Sequence, residues 1–224
     1  MHAIAVIDTE TTGLHSGARV IELAIITFDQ HGEREEEYST FIRGDGSTGN
    51  AATQRVHGIL PAEIVGAPSF LKVWQQAEPM LHGHVLVAHN APFDKRCLDH
   101  ERRLVGLPPL PAFACTKQMA FSLGYARRSR GGLPGTSARL EDLVKSLGLD
   151  VAPNHRALGD AEAAAALFAH FEHHHSDAVR QELSNVNSYV ASNPIPPRAP
   201  RSLPTIPSRT LPTTPTSTRE WRKL

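Results

Sequence analysis

The chain has 224 residues, of which 40% are hydrophobic and 21% charged, which is typical of a globular protein with one ordinary domain and a tail. Its 23 basic and 23 acidic side chains cancel, which excludes a global attraction to nucleic acid and requires any such binding to be local. The first apolar run stops at Asp8 without forming a secretory signal, and no stretch approaches the roughly 20 apolar residues of a membrane span. We therefore expect a cytoplasmic protein with no membrane partner.

The first part of the chain has the pattern of three strands. Residues 3–9 are apolar and β-branched, residues 20–28 form a second apolar run, and residues 37–43 alternate aromatic and polar side chains. The short links between these runs favour antiparallel hairpins. We expect the sheet to begin with an antiparallel portion.

Helices then alternate with short strands. After Ser69, a suitable N-cap, apolar residues recur with helical spacing over residues 70–81. Further along, the patterns predict strands over residues 85–88 and 113–116, and helices over residues 93–105, 117–124, 140–147 and 157–171. This order predicts an α/β fold with a mixed sheet and helices packed on it.

Composition changes sharply near Ser192. Residues 192–224 contain 8 of the 17 prolines, and their six basic residues against one acid give a charge of +5, which leaves −5 for the preceding part. Because large apolar residues are scarce there, we expect a domain over residues 1–191 followed by a disordered basic tail with polyproline character.

Two acids, Asp8 and Glu10, end the first predicted strand. Side chains alternate along a strand, so both carboxylates leave the same face. Side by side on an apolar strand they repel each other and lose hydration, and a divalent cation between them would remove both costs. The alternative is a solvated strand end, because an Asp-x-Glu pair alone is a weak signal.

A third acid, Asp94, follows the predicted strand 85–88 and lies where a helix begins. A carboxylate at that position is stabilised by the helix dipole, so an ordinary helix N-terminal acid is the alternative to a functional one. His89 and Asn90 lie at the exit of the same strand, where they either shape the loop or face a substrate.

His155 and Asp160 are five residues apart. On a continuous helix this spacing is about 500° of rotation, so their side chains would not converge. Pro153 and Asn154 favour a helix that starts after His155, which leaves the histidine on a loop from which it can reach the side chain of Asp160. An imidazole with a pKa near 6.5 can accept a proton from water at neutral pH. An exposed loop histidine is the alternative, since the chain has 13 histidines.

Together these segments resemble the motifs of the DEDDh-type 3′–5′ exonucleases of the DnaQ-like superfamily, which contains the proofreading ε subunit of bacterial DNA polymerase III. Asp-Thr-Glu-Thr-Thr-Gly-Leu at residues 8–14 is similar to the first motif, Ala-His-Asn-Ala-Pro-Phe-Asp at 88–94 to the second, and His-Arg-Ala-Leu-Gly-Asp at 155–160 to the third. Residues 56–59 and 139–143 also resemble family segments. The resemblance covers roughly residues 3–175.

This resemblance implies an RNase H-like fold with a five-stranded mixed sheet flanked by helices. It implies that two divalent cations, Mg²⁺ or Mn²⁺, are held by Asp8, Glu10, Asp94 and Asp160, and that His155 completes the catalytic set as general base. The implied substrate-binding residues are Thr11, Thr12, Gly13, Leu14, His89, Asn90 and Phe93. Leu14 is a candidate wedge against the last bases, and a buried loop leucine is the alternative.

The predicted function is a metal-dependent 3′–5′ exonuclease acting on single-stranded 3′ ends, DNA more than RNA, that releases nucleoside 5′-monophosphates in proofreading or repair. The alternatives are an RNA-trimming member of the superfamily, because motifs do not reveal contacts to the 2′ position, and a catalytically silent polymerase-associated subunit. The tail is a candidate segment for docking a DNA polymerase or nucleic acid, or it only solubilises the protein. Arg127, Arg128 and Arg130 form either a phosphate-binding loop or a solvated one.

Overall fold

The computed structural model describes residues 2–128, 136–186 and 189. Within these residues a five-stranded sheet has the order β3-β2-β1-β4-β5, and its strands are β1 (Ile4–Thr11), β2 (Val20–Phe28), β3 (Arg34–Phe41), β4 (Val85–Ala88) and β5 (Ala114–Cys115). β2 pairs antiparallel with β1 and β3, whereas β4 pairs parallel with β1 and β5. The expected mixed sheet with an antiparallel portion is confirmed.

The helices described are α1 (Ala51–His57), α2 (Pro61–Ile64), α3 (Phe70–Leu81), α4 (Pro92–Leu104), α5 (Thr116–Ser122), α6 (Leu140–Leu147) and α7 (Ala157–Ser184). The sequence patterns did not predict α1 and α2, which are too short for a clear apolar period. α1 depends on its cap instead, because the Asn50 side chain accepts the N–H groups of Ala52 and Thr53. α7 continues well beyond the expected end at residue 171, with a non-helical backbone at His175.

Helices cover both faces of the sheet, and the alternation of side chains along β1 decides which residues meet which helices. Ile4 and Val6 pack in the cluster that contains the buried residues of α5, α6 and α7. Ala5 and Ile7 pack in the opposite cluster, with the buried residues of α3 and α4. Because both faces are buried, the first four residues of β1 and most of β2 are apolar, and the acids of β1 lie in its carboxyl-terminal half.

Tyr189 closes the described part of the chain at the amino end of β4. Its N–H donates to the His84 carbonyl at 2.8 Å, and the Gly83 N–H donates to its carbonyl at 3.0 Å. The predicted tail at residues 192–224 lies outside the described residues, so the expected domain boundary stays a prediction. Among the helices that the structure describes, none has the length and apolar character needed to cross a bilayer.

Candidate active site

Three carboxylates converge where β1 ends and α7 begins. Asp8 and Glu10 share the strand face of Ile4 and Val6, which α7 covers, and Asp160 lies in the first turn of α7. One carboxylate oxygen from each of Asp8, Glu10 and Asp160 lies within 4.8 Å of the others. The alternation along β1 and the start of α7 thus bring together acids from the first and third sequence motifs.

Asp94 reaches the same strand end from the other side of the sheet. It is buried in the first turn of α4, and its Oδ1 accepts hydrogen bonds from the Thr9 backbone N–H at 3.1 Å and the Thr9 hydroxyl at 2.8 Å. Asp94 lies outside the group of three convergent carboxylates, but its charge contributes to raising the pKa of Asp8. Thr9 therefore anchors one oxygen of Asp94 beside the cluster.

Without a cation, the ionised forms of these clustered carboxyl groups are unfavourable. Burial and the charges of neighbouring carboxylates hold the pKa of Asp8 well above its usual value and raise the pKa of Glu10 to about 9. Burial also raises the pKa of Asp94 to about 7, although the hydrogen bonds from Thr9 lower it. Burial raises the pKa of Asp160 as well. Clustered carboxylate oxygens are the ligands that hard divalent cations such as Mg²⁺ and Mn²⁺ take, so this donor set fits them.

His155 lies on the loop before α7, as its position after Pro153 and Asn154 predicts. Its backbone has a left-handed φ of 55°, and Asp160 Oδ1 accepts the N–H groups of Asn154 at 2.9 Å and His155 at 3.1 Å. The imidazole Nδ1 is 3.9 Å from Asp160 Oδ2, and Nε2 is 2.8 Å from Oε1 of Glu141 on α6. The ring is thus held between Glu141 and the acidic cluster.

Glu22 and Arg156 position α7, and the sequence patterns did not identify either of them. Glu22 is buried opposite Glu10 in the β1–β2 register, and the Arg156 guanidinium contacts its carboxylate at 2.7 Å. Glu22 also accepts the N–H of Ala157, the first residue of α7, at 3.1 Å. The available signal was a lone acid within the otherwise apolar run of β2.

The loop after Glu10 is braced by its own side chains. The Thr11 hydroxyl donates to the Gly13 carbonyl at 2.9 Å, and the Thr12 hydroxyl accepts the Arg19 N–H at 3.0 Å. Leu14 at the end of this loop is 80% exposed, which excludes the buried-leucine alternative, and its role as a wedge against bases stays a prediction. Phe93, also expected to contact substrate, is partly buried in the first turn of α4.

The side chains of His89 and Asn90 contact neighbouring segments of the protein and hold their loop in place. The His89 ring contacts the Thr116 hydroxyl through Nδ1 at 2.9 Å and the Ala138 carbonyl through Nε2 at 3.0 Å. Burial lowers the pKa of His89 to about 4, so the ring is neutral at pH 7. Asn90 adopts a left-handed φ of 65°, and its Oδ1 accepts from Lys117 Nζ at 3.4 Å. These contacts favour the loop-shaping interpretation of both residues.

The basic loop is described only in part. Arg127 exchanges backbone hydrogen bonds with Thr136, and the Arg128 guanidinium lies 5.0 Å from the centroid of the Phe121 ring. Arg130 lies outside the described residues. The phosphate-binding role of this loop stays a prediction.

Comparison with known proteins gives a concordant result. A family profile described as Exonuclease (RNase_T) matches residues 5–168. The chain is 32% identical over 175 residues to DNA polymerase III subunit epsilon of Treponema pallidum, covering 78% of each chain. It is 34% identical over 170 residues to a DNA polymerase III subunit epsilon-like protein of Rhodobacter capsulatus, covering 73% of this chain but only 23% of that one.

The fold has counterparts among solved structures. E. coli exonuclease I in complex with a dT13 oligonucleotide superposes with a TM-score of 0.68 and 19% identity, covering 81% of this chain and 43% of that one. At this identity the likeness concerns the fold alone. It confirms the expected nuclease-like arrangement of a mixed sheet flanked by helices.

Proposed function

Because the chain belongs to the RNase_T family of exonucleases and is a DnaQ-like 3′–5′ exonuclease, we propose that it removes nucleotides from the 3′ ends of single-stranded DNA. The observation that carries this proposal is the convergence of Asp8, Glu10 and Asp160 beside the imidazole of His155. The product is a nucleoside 5′-monophosphate, since the bond cleaved is the terminal phosphodiester.

Four acids are proposed to hold the divalent cations: Asp8, Glu10 and Asp160 from the convergent cluster, with Asp94 completing the set from α4. When bound, Mg²⁺ or Mn²⁺ would supply Lewis-acid stabilisation of phosphoryl oxygens and make a coordinated water more acidic. A bound cation would in turn offset the burial and the mutual repulsion that raise the pKa values of Asp8 and Glu10.

His155 is proposed to accept the proton of the attacking water. With its hydrogen on Nε2, donated to Glu141, the neutral ring leaves Nδ1 as a proton acceptor on the side of Asp160. After proton transfer the imidazolium lies between Glu141 and Asp160, which stabilise its charge. The left-handed backbone of His155 keeps the ring in this position, and the hydrogen bonds that the N–H groups of Asn154 and His155 donate to Asp160 hold that backbone.

The exposed Leu14 and the ring of Phe93 are proposed to contact the terminal bases, next to the braced loop of Thr11, Thr12 and Gly13. Apolar and aromatic contacts of this kind tolerate any base, as an exonuclease requires. The preference for DNA is supported by relatives that are named as DNA polymerase III subunits. We further propose that the protein acts in proofreading or repair and that residues 192–224 dock a polymerase.

Time courses on three substrates labelled at the 3′ end test this function: single-stranded DNA, duplex DNA with a mismatched 3′ end, and RNA. We expect cation-dependent release of 5′-mononucleotides, fastest from single-stranded DNA, and loss of release with EDTA or in Asp8→Asn. Faster release from RNA would establish the RNA-trimming alternative. A wild-type protein that binds a polymerase and releases no nucleotide would be the silent subunit.

A further inference from the structure

The solvent-facing side of α4 forms one wall of an open groove. Lys95, Arg96 and Arg103 lie on this side of the helix, and Leu107 and Pro109 from the following loop form the other wall. The groove has a volume of about 590 Å³. It is therefore a surface with basic side chains along one edge and apolar side chains along the other.

The charge of the groove is positive because its one acid is already compensated. Asp99 is paired with Lys95 at 2.5 Å, and its other oxygen accepts the Leu110 N–H at 2.7 Å, which ties the loop to the helix. Arg103 is exposed, and no carboxylate among the described residues pairs with it. Arg96 and Arg103 therefore supply uncompensated charge on a domain whose predicted range carries −5 in total.

The groove begins at the candidate active site. The Arg96 guanidinium donates to the Leu14 carbonyl at 3.1 Å, and its Cζ lies 5.2 Å from the centroid of the Phe93 ring. Arg103 comes seven positions after Arg96, so the second guanidinium lies about 10 Å further along α4. The buried side of the same helix carries Asp94. One side of α4 therefore faces the acids, and its other side carries a row of basic side chains that leads away from Leu14.

We propose that this groove holds the phosphate backbone of the single strand on the 5′ side of the terminal nucleotides, an inference that rests on the proposed exonuclease function. The two arginines match phosphate oxygens with their planar forks, and contacts to phosphates carry no sequence information. Leu107 and Pro109 face the sugars and bases, where apolar contact is equally independent of sequence. The groove therefore lengthens the bound strand without restricting its sequence.

The test uses Arg103→Glu, with Arg103→Gln as a milder loss of charge and Arg180→Glu as the matched control on exposed α7 surface. Affinity for 5′-labelled dT20 and dT4 is measured in EDTA by fluorescence anisotropy at several salt concentrations, after thermal melting confirms folding. For dT20 we expect Arg103→Glu to weaken affinity roughly tenfold and to lower the slope of log K against log salt by about 0.7 for each phosphate that is no longer neutralised. Arg103→Gln should lie between, and dT4 should respond much less.

Equal effects of Arg103→Glu and Arg180→Glu on dT20 would overturn the groove proposal. So would an Arg103→Glu protein that keeps wild-type affinity for dT20 but loses binding to an acidic peptide, because the occupant would then be a protein. Nucleotide release by the wild type separates this outcome from failure of the exonuclease function. Release with no effect at Arg103 overturns the groove alone, whereas absence of any cation-dependent release overturns the function.

Discussion

At the scale of single residues, the acids at the end of β1 have side chains whose ordinary ionised state is unfavourable in the folded protein. Burial, with neighbouring carboxylates, raises the pKa of Glu10 to about 9, and Arg156 opposes this only as the weakest of the contributions. A half-buried carboxyl with such neighbours favours its protonated form unless a cation compensates its charge. The residues expected to hold metal are therefore also residues that destabilise the metal-free protein at neutral and alkaline pH.

The first prediction concerns Glu10→Gln. Because a glutamine neither takes up a proton nor buries a charge on folding, we expect the metal-free variant to melt above the wild type at pH 8, by roughly 2–4 °C for each kcal/mol of that cost removed. The same variant should lose the rise in melting temperature on addition of Mn²⁺, along with nucleotide release. Thermal melting with EDTA and with Mn²⁺ measures both effects. A metal-free Glu10→Gln that melts below the wild type would contradict the electrostatic account of this site.

The second prediction concerns the proposed general base. His155→Ala should slow nucleotide release by roughly 10²-fold or more, because proton transfer to a positioned side chain contributes about that much. Binding of Mn²⁺ should be largely kept, since the acids remain. Single-turnover rates and calorimetric Mn²⁺ titrations give the two quantities separately. Equal losses in rate and in cation affinity would mean that the imidazole supports the metal site instead.

At the scale of elements, the start of α7 decides whether the site exists. Glu22 on β2 binds both Arg156 and the first N–H of α7, and Asp160 in turn accepts two N–H groups from the preceding loop. The helix is therefore tied to the sheet and to the loop of His155 by the same few carboxylates. Gly159 leaves room for this arrangement, because a Cβ there would lie 2.4 Å from Oδ1 of Asn154.

The third prediction uses that close approach. By helix propensity alone, Gly159→Ala should stabilise α7 by up to about 1 kcal/mol. The added Cβ must displace the Asn154 side chain, however, and with it the hydrogen bond that Asn154 Oδ1 accepts from the Arg156 N–H, which helps to hold the loop of His155 in place. We expect nucleotide release to fall roughly tenfold or more, the cost of a displacement of about 1 Å in a reacting group, with little change in melting temperature.

Gly66→Ala is the matched control for this variant, because a Cβ at Gly66 meets nothing within 4 Å. It should leave nucleotide release at the wild-type rate. If Gly159→Ala were as active as Gly66→Ala, the packing of Asn154 against α7 would have no part in placing the histidine.

At the scale of the whole molecule, the raised pKa values make stability depend on pH. In the folded state Asp94 has a pKa of about 7 and Glu10 of about 9, both above their ordinary values of 3.8 and 4.5. The contribution of these protonated carboxyls to folding stability is complete below their ordinary pKa values. It is lost as the pH rises through their folded-state pKa values. His89, with a pKa lowered to about 4, is neutral in both folded and unfolded states above about pH 7.5 and does not obscure this range.

The fourth prediction follows from that sign. In EDTA, the melting temperature of the wild type should fall as the pH rises from about 7 to about 9. With saturating Mg²⁺ or Mn²⁺ the fall should be much smaller, because binding to the folded state favours the ionised carboxylates. Differential scanning calorimetry at several pH values across this range tests the prediction. A melting temperature that rises with pH in EDTA would show that the cluster is ionised at little cost.

The strands and helices of this fold were predictable wherever the apolar residues formed a continuous run or recurred with a clear period. The strands at residues 20–28 and 85–88 and the helix at 70–81 agree with the structure, because burial on one or two faces leaves a direct imprint on side-chain type. α1 was not predictable, since its stability depends on the cap at Asn50 more than on an apolar stripe. The extension of α7 beyond residue 171 was also missed, because its later residues are largely polar.

The sequence by itself determined the chemistry available to this protein: the alternation that puts Asp8 and Glu10 on one face, the start of α7 after His155, and the family to which the motifs belong. The first two depend on strand alternation and on the helix-breaking effect of proline, which act over a few residues. Only the tertiary structure decided that Thr9 holds Asp94, that Glu141 meets His155, and that Arg96 joins a basic groove to Leu14. Each of these interactions joins residues far apart in the chain, and only the packing of helices on the sheet brings them together.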